Sequence, residues 1–300
     1  MKKAFLHINI FIVAIISIAI IGMPSVAQEK PAKQKCFVYT YHAKKTYAQA
    51  AKDINIFLAR YFKDLNTHNV ASIGNYYASG YISNDGFNKN QVVDLTRQTW
   101  QKYPDIKYST CIKNLRIQGN RASVEFTEKI IGNTAKVSEI TNDNGIVTGF
   151  SHHIFYLQKF GSGWAIVTDK TLYEKALIKY GIAKTIDINL HVPEQISSGE
   201  EYTASLMIEK PMDVFALASI SSVPIVYPAK SSEETFRQVP SSLNILERVI
   251  QANGEAYNEI VSASVSFCKI EKSYYTGLDL QVSGIAVILK RLNVLPERSI

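Results

Sequence analysis

Between Phe150 and Glu174 (FSHHIFYLQKFGSGWAIVTDKTLYE) two largely apolar runs rich in Ile, Phe, Tyr, Val and Trp meet at Gly161-Ser162-Gly163. Such runs around a glycine-rich turn predict a long β-hairpin, because glycine reaches the positive φ that a tight loop requires. An unbulged pairing about a three-residue loop sets Phe160 opposite Trp164, Leu157 opposite Val167 and His153 opposite Thr171. One face then carries His153, Phe155, Leu157, Val167 and Asp169. On it His153 and Asp169 are diagonal neighbours, ~7–8 Å apart at Cα and within side-chain reach. A bulge near the turn would send the later side chains to the other face.

Upstream the period changes from two to that of a helix. Ala50, Ile54, Phe57, Leu58, Tyr61, Phe62 and Leu65 recur every three or four residues, which predicts one helix with a broad apolar face. A second, short helix is expected over Val70 to Tyr77, and a third over Lys89 to Lys102, presenting Val92, Val93, Leu95, Thr96 and Trp100 and stopping before Pro104. Strands follow over Ile106 to Gln118 and Arg121 to Ile131, flanking the hairpin dipeptide Gly119-Asn120. In the second of these, Ala122, Val124, Phe126, Glu128 and Ile130 share one face, and Ala135 to Ile140 extends the strand. A short helical piece over Leu172 to Lys179 is expected to close the region.

From Ala183 the chain reads as about seven strands without intervening helices: Thr185 to Val192, Tyr202 to Glu209, Val214 to Ser221, Phe236 to Val239, Leu243 to Gln251, Asn258 to Ile270 and Leu278 to Leu292. Leu243 to Ile250 also fits a helical period. The fold class expected is therefore α+β: helices on a curved antiparallel sheet, followed by an all-β, immunoglobulin-like sandwich suggested by strand count alone.

The N-terminus changes this picture from two domains to two domains with a leader. Lys2 and Lys3, the apolar run Ile10 to Ile21, and the small residues Ser25-Val26-Ala27 have the layout of a secretory signal peptide. The organisation expected is residues 1–27 as signal peptide, 28–46 as a basic linker, 47–181 as the α+β domain and 182–300 as the sandwich. Export places the protein in the periplasm or outside the cell, and no later stretch is apolar enough to span a membrane. The formal charge is +7, reduced to near +5 without Lys2 and Lys3. That mild excess permits contact with anionic surfaces through the Lys30 to Lys45 arm and does not call for nucleic acid. The 46% hydrophobic and 20% charged fractions exclude disordered and fibrous classes. Cys36, Cys111 and Cys268 are odd in number and widely spaced, so they allow one disulfide at most, Cys36 with Cys111 being the first pair to test. No cysteine or histidine spacing forms a metal motif, and neither metal nor cofactor is expected.

The stretch FLARYFKDLNTHNVASIGNYYASGYISNDG, the strands around Gly119-Asn120, and HHIFYLQKFGSGWAIVTD together resemble the nuclear transport factor 2-like superfamily, which includes ketosteroid-isomerase-like and SnoaL-like proteins. The resemblance covers Tyr47 to about Tyr180 and implies a cone of sheet and helices. It also implies a candidate site: Tyr61 on the first helix, Asp85 in the Ser83-Asn84-Asp85-Gly86 turn as base, and His153 as a strand donor; Asp169 is additional to it, either orienting His153 as a dyad or satisfying a buried imidazole. A carboxylate shuttling a proton beside a carbonyl, with phenol and imidazole steadying the oxyanion, is coherent chemistry in a dry cavity. Each residue also has a plain structural reading: Tyr61 as core, Asp85 as a solvated turn residue, His153 as a satisfied buried imidazole. Tyr77, Trp100, Tyr108 and Phe155 are the candidate lining of an apolar ligand pocket. Two functions remain open on this basis. The first is an exported, non-catalytic binding or assembly protein with a small apolar ligand or a protein partner, a homodimer through the sheet included. The alternative is a cofactor-free isomerase, dehydratase or cyclase acting on a small carbonyl substrate in the cone.

Overall fold

The computed structural model describes residues 45–230, 233–271 and 279–297 of the chain. The segment expected to be a signal peptide, nearly all of the expected basic linker and Cys36 lie outside the described residues. Most of the ordered structure is β-sheet, with few helices. Three helices come first: α1 (Lys45–Asn66), α2 (Val70–Ile73), continued by a 3-10 turn to Tyr76, and α3 (Lys89–Lys102). The expected periodicity of α1 is realised, with Ile54, Leu58, Tyr61 and Leu65 almost fully buried. Asn88 opens α3 with a reciprocal cap: its side chain accepts from the Gln91 amide at 3.1 Å, and the Gln91 side chain accepts from the Asn88 amide at 2.9 Å.

The strands are β1 (Lys107–Gln118), β2 (Arg121–Val137), β3 (Asn144–Phe160), β4 (Gly163–Gly181), β5 (Asp187–His191), β6 (Gln195–Ser197), β7 (Glu201–Glu209), β8 (Val214–Pro224), β9 (Arg237–Gln238), β10 (Ile245–Gln251), β11 (Glu259–Glu271) and β12 (Asp279–Leu295). One sheet runs in the order β1-β2-β3-β4-β12-β11-β8-β9, and a second in the order β10-β7-β5. Each of the seven strands expected after Ala183 is present, and the short β6, which pairs in parallel with β12, is additional. The ambiguous Leu243 to Ile250 stretch is strand, held in register against β7 from Ile245↔Met207 to Gln251↔Glu201.

Two sequence expectations are corrected. Leu172 to Lys179 is not helical but the second half of β4, paired with β3 on one side and from Lys175 onward with β12 on the other. A strand flanked on both sides gains two hydrogen-bond ladders, and that gain is invisible in the local period. The hairpin loop is also shorter than expected, since Phe160 pairs with Gly163 and leaves Gly161-Ser162 as a two-residue turn. Leu157 then faces Ile166 rather than Val167, a bulge at Val167 takes up the extra residue, and Phe155↔Asp169 and His153↔Thr171 follow. The loop and the bulge offset each other, so the His153 to Thr171 pairing holds for a reason the hairpin pattern does not contain.

β12 joins the two parts. Val287 and Leu289 contribute to the core beneath the helices, whereas Ala286, Ile288 and Leu292 contribute to the core between the two sheets. Alternate side chains of one strand thus serve opposite cores. This explains why Ile285 to Leu289 (IAVIL) is a continuous apolar run rather than an alternating one.

Candidate functional site

Beneath the helices the inner face of the sheet is aromatic with a polar centre. The Tyr61 ring meets Phe155 edge-on at 5.6 Å, and its hydroxyl shares a hydrogen bond of 3.2 Å with that of Tyr77. Tyr77 packs on Tyr81 at 4.7 Å, and the Tyr81 hydroxyl donates to Asp169 Oδ1 at 2.7 Å. Tyr61, His153 and Asp169 line the same void, together with Tyr77, Tyr81, Phe126, Phe155 and Glu128. Its volume is about 10 Å³, enough for one water molecule.

The sequence-based candidates are distributed differently from the expected constellation. His153 does not pair with Asp169, because Thr171 Oγ1 lies 3.0 Å from its Nδ1 and Ser151 Oγ 2.7 Å from its Nε2. Tyr77 and Phe155 border the void, but Trp100 and Tyr108 engage each other through a 2.8 Å indole-to-hydroxyl hydrogen bond, with His68 stacked on Trp100 at 4.9 Å. Asp85 is absent from the void. It faces Arg291 of β12, whose Nη1 donates to Oδ2 at 3.0 Å and whose Nη2 donates to Oδ1, while Asn258 Nδ2 adds a third bond at 2.8 Å. Arg291 Nη1 also stands 3.9 Å from Glu174 Oε2. The side chains of Arg291, Asp85 and Glu174 are 1%, 8% and 4% exposed, so this is a buried ionic clasp that joins the turn before α3 and β4 to the last strand.

Arg291, Glu174 and Glu128 were missed as functional candidates. Glu128 carried a visible signal, a carboxylate among the apolar positions of β2, and Arg291 a fainter one, a lone guanidinium in an apolar strand. Burial acts on all of these groups. It raises Glu128, and it lifts Asp169 to about 6 against the partial relief of the Tyr81 hydrogen bond. It lifts Glu174 to about 7, opposed by Arg291, and pushes His153 down to about 3 with help from Arg291. The Tyr61, Tyr77 and Tyr81 hydroxyls are raised by burial too and remain neutral donors.

These shifts oppose one another in stability. Raised carboxylates favour the folded state fully below their unfolded values, 3.8 for Asp169 and 4.5 for Glu174, and that advantage is lost as pH climbs through about 6 and about 7. The depressed His153 acts the other way: its contribution is complete above 6.5 and disappears as pH falls towards about 3. Glu174→Gln should therefore raise stability by on the order of 2–3 kcal/mol at about pH 8 and change it little near pH 4. Thermal unfolding of both proteins across that range checks this, and a gap that stays constant with pH would show that Glu174 is not the titrating group.

A second, larger opening lies on the other side of the clasp. β4 pairs with β12 only from Lys175↔Lys290 onward to Gly181↔Gly284, and Lys170 to Glu174 have no ladder partner on β12. β6 occupies the β12 edge at Asn293 to Leu295. Between these strands, the Asn84 to Gly86 turn and the Tyr257-Asn258 loop is a cleft of about 690 Å³. Asp85 and Asn258 form part of its floor, and Lys170, Tyr173, Glu194, Gln195 and Tyr257 are among its walls.

No protein-family model and no curated protein matches the chain. Similar solved structures include a nuclear transport factor 2-like superfamily protein from Salmonella enterica, at 15% identity over 40% of this chain and 87% of that one, with a TM-score of 0.31. A type 2 hexachlorocyclohexane dehydrochlorinase is similar at 10% identity over 42% and 87% of the two chains, with a TM-score of 0.33. Bd1075 from Bdellovibrio bacteriovorus is similar at 14% identity over 43% of this chain, which spans 42% of that protein's length, with a TM-score of 0.35. The neighbours thus include nuclear transport factor 2-like proteins, all of them distant, and function is read here from the side chains.

Proposed function

We propose that the protein is an exported, non-catalytic binding protein in which a cone-like helical half and an immunoglobulin-like half form one body, with the ligand held in the cleft at their junction. The observation that carries this is the contrast in room: about 10 Å³ among Tyr61, His153 and Asp169, against about 690 Å³ beside the Asp85–Arg291 clasp. Ligand sites of several hundred Å³ at the meeting of two packed units are the common case. Soaking crystals with a library of small polar fragments tests the proposal. Hits are expected between Asn84, Tyr173 and Tyr257, and Tyr61→Phe should leave them unchanged. Fragments seated among Tyr61, Tyr77 and His153 instead, with the cleft empty, would overturn it.

A second reading is favoured by one observation, the Tyr81-bonded Asp169 carboxyl raised to about 6, which is the poise of a general base. In it the chain is a cofactor-free isomerase, dehydratase or cyclase, with Asp169 moving the proton and Tyr61 donating to the oxyanion. It requires the one-water void to open to a carbonyl substrate, and fragments in that void would favour it.

A further inference from the structure

We propose that the junction cleft binds a short neutral oligosaccharide; this rests on the cleft being the ligand site and adds the class of ligand. Three features of the walls carry it. Charge comes first. Asp85 is neutralised by Arg291, and His152 lies 2.9 Å from Glu125. Lys170 and Glu194, of opposite sign, are the other charged side chains of the lining. Lys290, whose Nζ stands over the Tyr173 ring, adds one positive charge beside them, and a cleft so nearly balanced has only a weak field with which to select phosphates, polyanions or cations.

The second feature is the backbone. An extended peptide bound as an added strand needs a free row of amides and carbonyls. Here several of the edge groups are already taken: the Asn84 amide donates to the Asp169 carbonyl at 3.1 Å, and Asn293 Nδ2 to the Leu172 carbonyl at 2.8 Å. The Val294 amide donates to Asn258 Oδ1 at 3.0 Å, and the Ser198 amide to the Leu295 carbonyl at 2.8 Å.

The third is the side chains that remain. Tyr257 is 46% exposed at one wall, and Tyr173 stands at another with Lys290 Nζ 5.7 Å from its ring centre. Asn84, Gln195 and Glu194, with amide and carboxylate side chains, are also among the lining residues. Flat rings beside planar hydrogen-bonding heads match the two surfaces of a sugar, an apolar C–H face and a rim of hydroxyls that donate and accept. A purely apolar ligand would leave those polar heads desolvated without partners.

Isothermal titration of the protein with triacetylchitotriose and maltotriose, both uncharged, tests this against trialanine and inorganic phosphate. At least one trisaccharide should bind, and Tyr257→Ala and Gln195→Ala should each weaken it about tenfold or more while the thermal unfolding of these exposed-site variants stays unchanged. Binding of neither sugar, or binding indifferent to Tyr257→Ala, overturns the proposal. If trialanine or phosphate binds instead and Tyr257→Ala abolishes it, the sugar assignment fails and the cleft remains the ligand site. If nothing binds and fragments seat only among Tyr61, Tyr77 and His153, both fall together.

Discussion

Arg291→Met is expected to destabilise the protein by ~3–5 kcal/mol, because the change removes the cation from a buried cluster and leaves Asp85 and Glu174 without compensation. For a chain of this size that is a fall in Tm on the order of 10 °C. Burial decides the magnitude: a pair at the surface would be worth ~1 kcal/mol or less, whereas these side chains are almost wholly out of water. The double variant Arg291→Met with Asp85→Asn should recover much of the loss, since it removes the stranded charge along with its partner. Differential scanning calorimetry of the two variants checks both statements. A single variant as stable as the parent would mean that the clasp does not hold the helical half to the last strand. The same clasp bears on chemistry. Both Asp85 oxygens are engaged by Arg291 and Asn258, and Asp85 does not line the void that holds Tyr61 and His153.

Gly181→Ala is expected to cost ~3 kcal/mol or more. Gly181 has φ 56° and ψ −138°, a backbone conformation open essentially to glycine alone. A Cβ there would also sit 2.1 Å from the Ser283 carbonyl oxygen, which is backbone and has little freedom to withdraw. The position is where β4 ends opposite Gly284 of β12, so the strain falls on the pairing that makes the two halves share a sheet. Urea denaturation measures the effect. Stability unchanged within error would show that β4 and β12 can separate here without loss.

Much of the local structure was legible because it follows from spacing. The apolar stripe of α1, the stop before Pro104, the Gly119-Asn120 turn and the strands after Ala183 all follow from period and turn chemistry, which act within a few residues. What failed locally did so for a nonlocal reason. Leu172 to Lys179 has a composition compatible with helix, and only β3 and β12 on its two sides make it strand. At the candidate site Tyr61, His153 and Asp169 were legible and do share a void, Tyr61 from the helix stripe and the other two from the hairpin register. The separation of Asp85 from that void was not legible, since its partner Arg291 lies 206 residues away.

The sequence by itself therefore determined most of the elements, the order of helices before strands, and the face of the hairpin on which His153 and Asp169 lie. Tertiary structure alone decided that β12 pairs with β4 and so continues one sheet through both halves. It also decided that a guanidinium from the last strand would claim the Asp85 carboxylate, and that open space would form beside that clasp rather than among the tyrosines. The physical reason is range. Periodicity reports which face of an element is buried, whereas the partner of a buried charge and the shape left between two packed units depend on contacts that no window along the chain contains.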